Sequence, residues 1–416
     1  MPEQAVSAKD RPLSVLLLLE AHFPSVGGAE RQLETLAQGL RARGHRLTVL
    51  LPRLDPKQPA GAGEHQGLAL WRIGYPRIPL LGSLILQLKL AWLLWRWRDR
   101  YDAIHVHIAH NMGAVASLVG RWLGKPVVLK FSGWWEAEQG CLRQGAGLLP
   151  RIARALLRRA SAVQAISTRI GSDLAAAGFD PGRIHWIPNG VATARFESIP
   201  RPRLQADAPR MVFVGRLVAE KSLDLVLEAW ARAEMPRRGW RLRLVGGGPQ
   251  EAALRDQAAG LGIAESIEWI GPSQEVERHL AESDVGILAS RTEGLSNTLL
   301  EYLAAGLPAI ATRISGSEDF IVPQRNGWLC APGDVDGLAT CMADCAALDP
   351  SARQPSGRDC AAVALAARAA HVARAARVAV DRLLHFPLPD ALSLRLRGLG
   401  GLHGLRARAF HPGIQD

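Results

Sequence analysis

Cysteine and lysine are both scarce in this chain. The five cysteines among 416 residues stand at irregular intervals, and no C-x-x-C pair or histidine partner completes a zinc site. This pattern argues against a zinc module or a dense disulfide framework and predicts reduced thiols in a cytoplasmic protein. Only six basic residues are lysine, so the net charge of +11 is carried almost entirely by arginine.

Long apolar segments are also missing. The apolar run at 13–19 ends at Glu20, which favours a buried first strand over a signal peptide. The stretch 78–97 is interrupted by Gln87, Lys89 and Arg96, which makes it too polar for a membrane span. No nucleic-acid-binding module is recognisable, so we expect no nucleic-acid partner. The positive charge instead suits an anionic membrane surface or a phosphorylated ligand.

Short apolar segments alternate with helical segments through two parts of the chain, separated by a polar stretch at 196–209 that contains three prolines. Such alternation predicts parallel sheets covered by helices on both faces. We therefore expect an α/β protein with two Rossmann-like doubly wound domains that face each other across a cleft, where ligands bind beyond the carboxyl ends of the strands. The predicted units are 1–198, 199–350 and an atypical Ala/Arg-rich tail, 351–416.

The predicted strands and helices have the following limits. Strands are expected at 13–19, 46–51, 68–73, 102–107, 126–131, 162–166, 184–187, 211–214, 241–245, 266–270, 285–288 and 307–311. Helices are expected at 28–43, 81–99, 111–122, 148–159, 168–177, 221–232, 249–260, 274–281, 298–305 and 335–346.

The segment 293–312 is the most informative about function. Glu293 and Glu301 stand eight positions apart, with a Gly-Leu-Ser-Asn turn and the start of a short helix between them. A helix N-terminus can hold a phosphate, and carboxylates beside it can accept hydrogen bonds from sugar hydroxyls. Thr298 can cap this helix, and Thr298-x-x-Glu301 can also form a capping box in which Glu301 only satisfies a backbone N–H.

Two glycine-containing turns follow strands in the second part of the chain. Gly215-Arg216 ends one strand, and Lys221 stands at a predicted helix start, where a cation is unfavourable unless an anion is bound. Arg216 can offer a guanidinium fork to phosphate oxygens and Lys221 a point charge. Gly247 lies in the next such turn, where a ligand could approach the backbone closely. A solvated basic pair and a plain strand–helix turn are the alternatives.

The first part of the chain has two candidate ligand-binding turns of its own. Gly27 and Gly28 follow the first strand at a helix start and could approach a phosphate or an acceptor sugar. His105 and His107 alternate along a strand and share one face. We expect His105 to be buried and His107, at the carboxyl end, to point into the cleft. Two tryptophans, Trp134 and Trp135, could stack on sugar rings or simply pack.

These motifs together resemble family 4 retaining glycosyltransferases, which have the GT-B fold. The resemblance covers about residues 12–345 and rests on the Glu-x7-Glu segment, the Gly-Arg-Leu-x(3)-Lys motif, the Gly-Gly-Ala-Glu loop and Pro-Asn-Gly-Val at 188–191. It implies transfer of a sugar from a nucleotide-sugar donor to an acceptor, with retention of anomeric configuration and without a metal or other cofactor. The implied acceptor is a glycan or a lipid-linked saccharide in cell-surface polysaccharide synthesis.

The resemblance also implies roles for individual residues. Arg216 and Lys221 would stabilise the leaving diphosphate, while Glu293 and His107 would contact the donor sugar. Glu301 would bind the ribose hydroxyls. The remaining donor-contacting positions are Gly27, Gly28, Gly215, Gly247, Gly294, Leu295, Ser296, Asn297 and Thr298.

Several interpretations stay open at this level. The chain could be a catalytically impaired relative that binds nucleotide-sugars or membrane as a partner subunit. The segment 78–98 could simply cover the first domain, or it could dock on an anionic leaflet through Trp92, Trp95 and Trp97. The corresponding localisation is cytoplasmic, with peripheral contact at the inner face of the cell membrane. Asp334 before Val335-Asp336 is expected to cap a helix, with no metal role.

Overall fold

The computed structural model describes residues 11–24, 27–133, 142, 147–197 and 208–348. Within these residues the chain forms two α/β domains, each built around a sheet whose strands run almost entirely parallel. The predicted fold class is therefore confirmed. The proline-containing linker at 198–207, both candidate tryptophans of the first domain and the tail 351–416 lie outside the described residues.

The first domain carries an eight-stranded sheet. Its strands are β1 (Ser14–Leu18), β2 (Arg46–Pro52), β3 (Gly61–His65), β4 (Leu68–Ile73), β5 (Ala103–Val106), β6 (Val127–Phe131), β7 (Ala162–Ala165) and β8 (Ile184–Trp186). Its helices are α1 (Gly28–Arg41), α2 (Leu81–Arg96), α3 (Asn111–Leu123), α4 (Leu148–Leu157), α5 (Thr168–Ala176) and α6 (Ala194–Glu197). The sheet order is β3-β4-β2-β1-β5-β6-β7-β8, with β3 antiparallel to β4 and the other pairs parallel.

The second domain carries a six-stranded parallel sheet. Its strands are β9 (Arg210–Val214), β10 (Arg241–Val245), β11 (Ile267–Gly271), β12 (Val285–Leu288), β13 (Ala309–Thr312) and β14 (Gly327–Cys330), in the order β11-β10-β9-β12-β13-β14. Its helices are α7 (Leu223–Arg232), α8 (Glu251–Gly260), α9 (Val276–Ala281), α10 (Asn297–Ala304), α11 (Ser315–Phe320) and α12 (Val335–Ala347). Cys330, Cys341 and Cys345 are all buried.

The apolar pattern explains why these elements pack as they do. In α1, Leu33, Leu36, Ala37 and Leu40 recur at helical spacing and are all buried, so this helix covers the sheet with one face. The strands β5, β6 and β7 are buried along their whole length, as expected for parallel strands with helices on both sides.

Four elements were not predicted. The strand β3, Gly-Ala-Gly-Glu-His, has no apolar alternation and forms the outer edge of the first sheet. The strand β14 and the helices α6 and α11 have only four to six residues each and are too short to show a period. Tertiary packing, rather than local pattern, determines these four segments.

Candidate active site

An ion pair joins the two charged motifs of the second domain. Lys221 Nζ donates a hydrogen bond to Glu293 Oε1, and Ser290 Oγ donates to the same oxygen at 2.6 Å. The Lys221 side chain is 21% exposed and that of Glu293 16%. Lys221 ends a 3-10 turn two residues before α7 begins, and Glu293 balances its charge. Lys221 is therefore partly buried in an ion pair rather than fully solvated.

Arg216 lies beside this pair in the chain but has an exposed side chain. The turns that follow β9, β10 and β11 hold its loop in place. Gly215 N–H donates to Val245 O at 3.0 Å, and Leu217 N–H donates to Gly247 O at 3.0 Å. A Cβ at Gly247 would lie 3.2 Å from the Pro272 ring. Arg216 thus stands on a hydrogen-bonded loop at the carboxyl edge of the sheet, with its side chain exposed.

The helix α10 begins between the two carboxylates. Ser296 occupies the N-cap position without a side-chain capping bond. The prediction that Thr298 caps the helix is wrong, because Thr298 Oγ1 donates to Val214 O at 3.2 Å instead and so ties α10 to β9. The first N–H groups of this helix receive no side-chain cap from Ser296 and are suited to hold a phosphate.

Glu301 lies on α10 and is buried. Burial raises the pKa of its carboxyl, while the charges of Arg31 and Arg195 act in the opposite direction. The closest of these cations is Arg31 on α1, whose Nη1 lies 3.6 Å from Glu301 Oε1. The proposed capping box with Thr298 is not formed. Glu301 faces the other domain, as a ribose-binding carboxylate in an interdomain cleft would.

Asn297 connects the two domains through its side-chain amide. Its Nδ2 donates to Gly28 O at 3.1 Å. Its Oδ1 accepts from Gln32 Nε2 at 3.1 Å and from Asn189 Nδ2 at 3.0 Å. Gln32 in turn exchanges two hydrogen bonds with the backbone of Gly190, at 2.8 and 2.9 Å. Two of the predicted donor-contacting positions, Gly28 and Asn297, are thus in direct contact.

Gly294 is pressed against the end of β6 in the first domain. A Cβ at this position would lie 1.6 Å from Ser132 O, and a Cβ at Gly133 would lie 2.8 Å from Gly294 Cα. Next to it, Leu295 O accepts a hydrogen bond from Asn189 Nδ2 at 3.3 Å. The turn between Glu293 and α10 therefore also forms part of the interdomain contact.

His107 follows β5 and is buried beneath the first-domain turn that contains Gly28. Only 1% of the residue is exposed, so the expectation that it is open to the cleft is not met in this closed arrangement. Lys130 Nζ lies 3.4 Å from His107 Nε2. Burial, followed by the charge of Lys130, holds the pKa of His107 well below its usual range, and the backbone of Ala29 opposes the shift. The ring is therefore neutral at physiological pH.

His105 is buried, as expected, and its environment resembles that of His107. Burial and the charge of Lys130 lower its pKa to about 4, with the Gln164 side chain opposing. Gly27, at the N-cap of α1, completes the first-domain set; a Cβ there would lie 2.0 Å from Glu30 Oε2. The structure thus gathers Gly27, Gly28 and His107 at one carboxyl edge of the first sheet.

Several interdomain contacts were missed by sequence reasoning. Asn189 was predicted to form only a turn, and Gln32 and Arg31 were not singled out. The α11 helix supplies Asp319, whose carboxylate accepts from Thr168 N–H at 2.8 Å. Only Arg31 carried a usable signal, because it directly follows the Gly-Gly-Ala-Glu loop. The others depend on long-range packing.

Asp334 caps α12, as predicted, by accepting from Gly337 N–H at 2.8 Å. In the part of the chain that the structure describes, no three His, Cys, Asp or Glu side chains are grouped so as to hold a metal ion. The same residues include no helix that is both long and apolar enough to cross a membrane.

Comparison with known proteins places this arrangement in a family. Residues 26–195 match the model of Glycosyltransferase Family 4, and residues 208–347 match that of Glycosyl transferases group 1. The chain belongs to the family 4 glycosyltransferases of the GT-B fold, and it is a glycosyltransferase.

Three individual proteins illustrate the relationship. The GDP-mannose-dependent alpha-(1-6)-phosphatidylinositol monomannoside mannosyltransferase of Mycolicibacterium smegmatis is 28% identical over 360 residues, which cover 79% of this chain and 88% of that protein. An exopolysaccharide phosphotransferase of Streptomyces coelicolor is 38% identical over 159 residues, 36% of this chain but only 17% of that protein. The Anabaena protein HepE in complex with UDP has a TM-score of 0.72 at 20% identity, covering 89% of this chain and all of that one.

Proposed function

We propose that this protein transfers a sugar from a nucleotide-sugar donor to a glycan or lipid-linked saccharide acceptor in cell-surface polysaccharide synthesis, with retention of anomeric configuration. The observation that carries the proposal is the contact between Lys221 and Glu293 beside the N-terminus of α10. Two cations, a helix N-terminus and two carboxylates, of which Glu301 is buried, lie there on the second-domain side of the cleft. A nucleoside diphosphate sugar requires this combination of anion and hydroxyl recognition.

Each group has a distinct role in this proposal. Arg216 and Lys221 stabilise the negative charge that develops on the diphosphate as the bond to the sugar breaks. Glu293, freed from Lys221 when the diphosphate takes over that cation, accepts hydrogen bonds from the donor sugar. Glu301 accepts from the ribose. The two cations supply the positive charge at the leaving group, so we propose that transfer needs no metal or other cofactor.

The first domain contributes on closure. His107 is neutral, so one ring nitrogen donates a hydrogen bond while the other accepts. Its position under the Gly27–Gly28 turn suits a contact with the donor sugar, with Asn297 joining that turn to the phosphate-binding helix. Closure would exclude water from the sugar during transfer.

The first experiment measures turnover and nucleotide affinity across a panel of nucleotide-sugars. We expect Lys221→Ala to lower kcat by about 10²-fold or more, because a charge that acts on the leaving group is lost. Arg237→Ala is the matched control, since Arg237 is an 81% exposed cation of the same domain that pairs with Glu234 at the surface. Unchanged turnover in Lys221→Ala would refute the diphosphate role. Nucleotide binding without turnover of any donor would favour the non-catalytic partner-subunit alternative.

Two further measurements test the finer parts of the proposal. The configuration at the anomeric carbon of the product, followed by NMR during the first turnovers, distinguishes retention from inversion. Addition of EDTA is expected to leave kcat unchanged, and a loss reversed by a divalent cation would overturn the metal-free proposal.

We also propose a cytoplasmic protein that contacts the inner leaflet peripherally through α2. One face of this helix packs on the core, through Leu86, Leu90, Leu93 and Leu94. The opposite face is exposed and apolar; we call it the α2 apolar face, and it comprises Leu81, Leu84, Leu88, Trp92 and Trp95. The helix therefore covers the first domain with one face, and the exposed apolar residues of the other face support the proposed contact with a leaflet. Trp97 does not belong to it, because its ring packs edge-on against Trp71 at 5.1 Å.

Charge complementarity supports a leaflet as the occupant of this face. Arg96 and Arg98 flank its C-terminal end, and arginine beside interfacial tryptophan suits an anionic surface. Co-sedimentation with vesicles should depend on anionic lipid and should weaken in Leu88→Ser. Leu261→Ser, at a partly exposed leucine of the second domain, serves as control. Binding that ignores lipid charge would reject this assignment.

A further inference from the structure

A cavity of about 440 Å³ opens at the carboxyl edge of the first sheet, next to the start of α2. His22 follows β1, Leu54 follows β2 and Tyr75 follows β4, and all three residues line it. These strands are parallel neighbours, so their carboxyl ends meet at one place. Ligands in such sheets bind at this edge, and none of the donor-contacting residues described above lines the cavity.

The cavity is lined by both polar and apolar side chains. His22, Tyr75 and Arg77 supply hydrogen-bonding groups. Arg77 Nη2 donates to Leu54 O, and since a guanidinium carries five N–H donors, others remain for a ligand. Ile78 and Leu80, which are 53% and 83% exposed, line the same cavity. A ligand that contacts both kinds of side chain must itself be amphipathic.

The apolar rim is held in place by an unusual backbone conformation. Leu80 has φ 61° and ψ −52°, and Leu81 N–H donates to Pro79 O at 2.7 Å. These values describe a γ-turn of the rare, strained kind. Strained backbone at a non-glycine residue often marks a functional position. Here it fixes the most exposed large apolar side chain of the described residues on the rim of the cavity.

The surrounding structure is built to allow this turn. A Cβ at Gly82 would lie 2.1 Å from Pro76 O, so only glycine lets the loop fold onto the first turn of α2. Lys89 Nζ donates to Gly74 O at 2.7 Å and anchors the helix to the same loop. The α2 apolar face begins directly after Leu80 and continues along a helix about 24 Å long. The cavity, its apolar rim at Leu80 and the α2 apolar face are therefore continuous.

We propose that this cavity is the acceptor site and that it takes the phosphorylated head of a lipid-linked saccharide, while Leu80 and the α2 apolar face contact the lipid chain. The inference rests on the proposed transferase function and specifies its acceptor. Arg77 pairs with the phosphate, and His22 and Tyr75 bind hydroxyl groups. The position after β1 and β2, beside the Gly27–Gly28 turn that follows β1 in the chain, presents the bound head to the donor cleft.

Direct binding tests this assignment without requiring turnover. The probes are a short-chain prenyl phosphate below its critical micelle concentration, the prenyl alcohol of the same length, and inorganic phosphate. We expect the prenyl phosphate to bind at least about tenfold more tightly than either other probe, since the alcohol lacks the phosphate and inorganic phosphate lacks the apolar chain. Equal affinity for inorganic phosphate would show that a free anion, not a lipid, occupies the cavity, and would overturn the proposal.

Variants at the rim locate the bound lipid. Leu80→Ser should weaken prenyl phosphate binding by about tenfold, because an apolar contact is lost. Leu80→Gly should weaken binding similarly without lowering Tm, because glycine adopts positive φ easily. Arg77→Gln should weaken binding of the prenyl phosphate but not of the alcohol. Leu261→Ser is the matched control. Unchanged binding in both Leu80→Ser and Arg77→Gln would refute the site.

Nucleotide binding, measured in parallel, separates the two proposals. If the protein binds and turns over a nucleotide-sugar but does not bind prenyl phosphate, the acceptor assignment fails and the transferase proposal stands. If it turns over no nucleotide-sugar while the Leu80- and Arg77-dependent lipid binding persists, the transferase proposal fails and the cavity remains a lipid-phosphate site. The rim variants are expected to leave nucleotide affinity unchanged.

Discussion

Adding one methyl group at Gly294 is expected to prevent productive closure of the cleft. The Cβ of Gly294→Ala would lie 1.6 Å from Ser132 O, whereas real Cβ atoms essentially never approach closer than 3.0 Å. The two domains must therefore separate locally by at least about 1.4 Å. The two closest atoms are the backbone O and C of Ser132, at 1.6 and 2.6 Å, so no movement of a side chain can relieve the clash. Gly294 itself does not have a positive φ, so alanine fits its backbone conformation.

The size of the displacement gives an estimate of the loss in kcat. A misplacement of about 1 Å between reacting groups can lower the rate about 10²-fold, so we expect a loss of that order in kcat for donor turnover. Lys221, Glu293 and Glu301 all belong to the second domain and keep their mutual geometry. Nucleotide affinity, measured by calorimetry, is therefore expected to change by no more than about threefold, or roughly 0.7 kcal/mol.

A matched substitution controls for the general effect of alanine. Gly260 is the last residue of α8, and a Cβ there would meet nothing within 4 Å. Gly260→Ala should leave both kcat and nucleotide affinity unchanged. Wild-type turnover in Gly294→Ala would refute the inference that this contact is part of the active, closed state. A lower Tm together with lost nucleotide binding would show local unfolding of the second domain instead.

Three further predictions concern the buried polar groups. Burial raises the pKa of Glu301 above 4.5, so the folded protein binds a proton there more readily and its stability falls as the pH rises above that value. Glu301→Gln should therefore be more stable than wild type at pH 7, with the difference vanishing near pH 4. The pKa of His105 is lowered from 6.5 to about 4 in the folded protein. Between these pH values the unfolded chain binds the proton more readily, so the stability of the fold decreases as the pH drops through this range. His105→Gln should remove part of that loss of stability, up to about 3 kcal/mol. Asn297→Ala removes three hydrogen bonds to the first domain, those with Gln32, Asn189 and Gly28, and should cost about 1–3 kcal/mol. Asn297→Asp keeps the two acceptor contacts and should cost less.

Denaturant unfolding across pH 4–8 measures all three effects. A Glu301→Gln variant that is less stable at pH 7 would show that the contact with Arg31 outweighs the burial of the carboxylate. An unchanged acid profile in His105→Gln would contradict the assignment of that group. Equal stability of Asn297→Ala and wild type would mean that the interdomain amide contacts add nothing.

The sequence revealed the two sheets because both are built from strands buried on two faces, such as Val127–Phe131. Uninterrupted apolar runs of that kind are visible without any structure. The edge strand Gly61–His65 was invisible because it pairs only through its backbone, antiparallel to β4, and its side chains are largely outside the core. A pattern of side chains cannot report an interaction that uses none of them.

The site was predictable where the type of a side chain indicated its chemistry. The two second-domain motifs suggested that Lys221 and Glu293 belong to one site, and the structure shows them in contact. The direction of a hydrogen bond was not predictable. Thr298 has the right type and position for a helix cap, but its hydroxyl donates to Val214 O of β9 instead. This strand lies 84 residues earlier in the chain, so a local sequence pattern cannot indicate the contact.

The hydrogen bonds of Gln32 with Gly190 and of Asn297 with Asn189 have a consequence for modular exchange. The segment at 189–190, near the end of the first domain, is hydrogen-bonded by the side-chain amide of Gln32 on α1 and by that of Asn297 on α10. A hybrid enzyme that joins residues 1–197 to the second domain of a relative must therefore inherit an amide at the position of Asn297. Without that amide, the hybrid would carry the donor preference of the relative but would lose the hydrogen bond that fixes the connecting segment to the second domain.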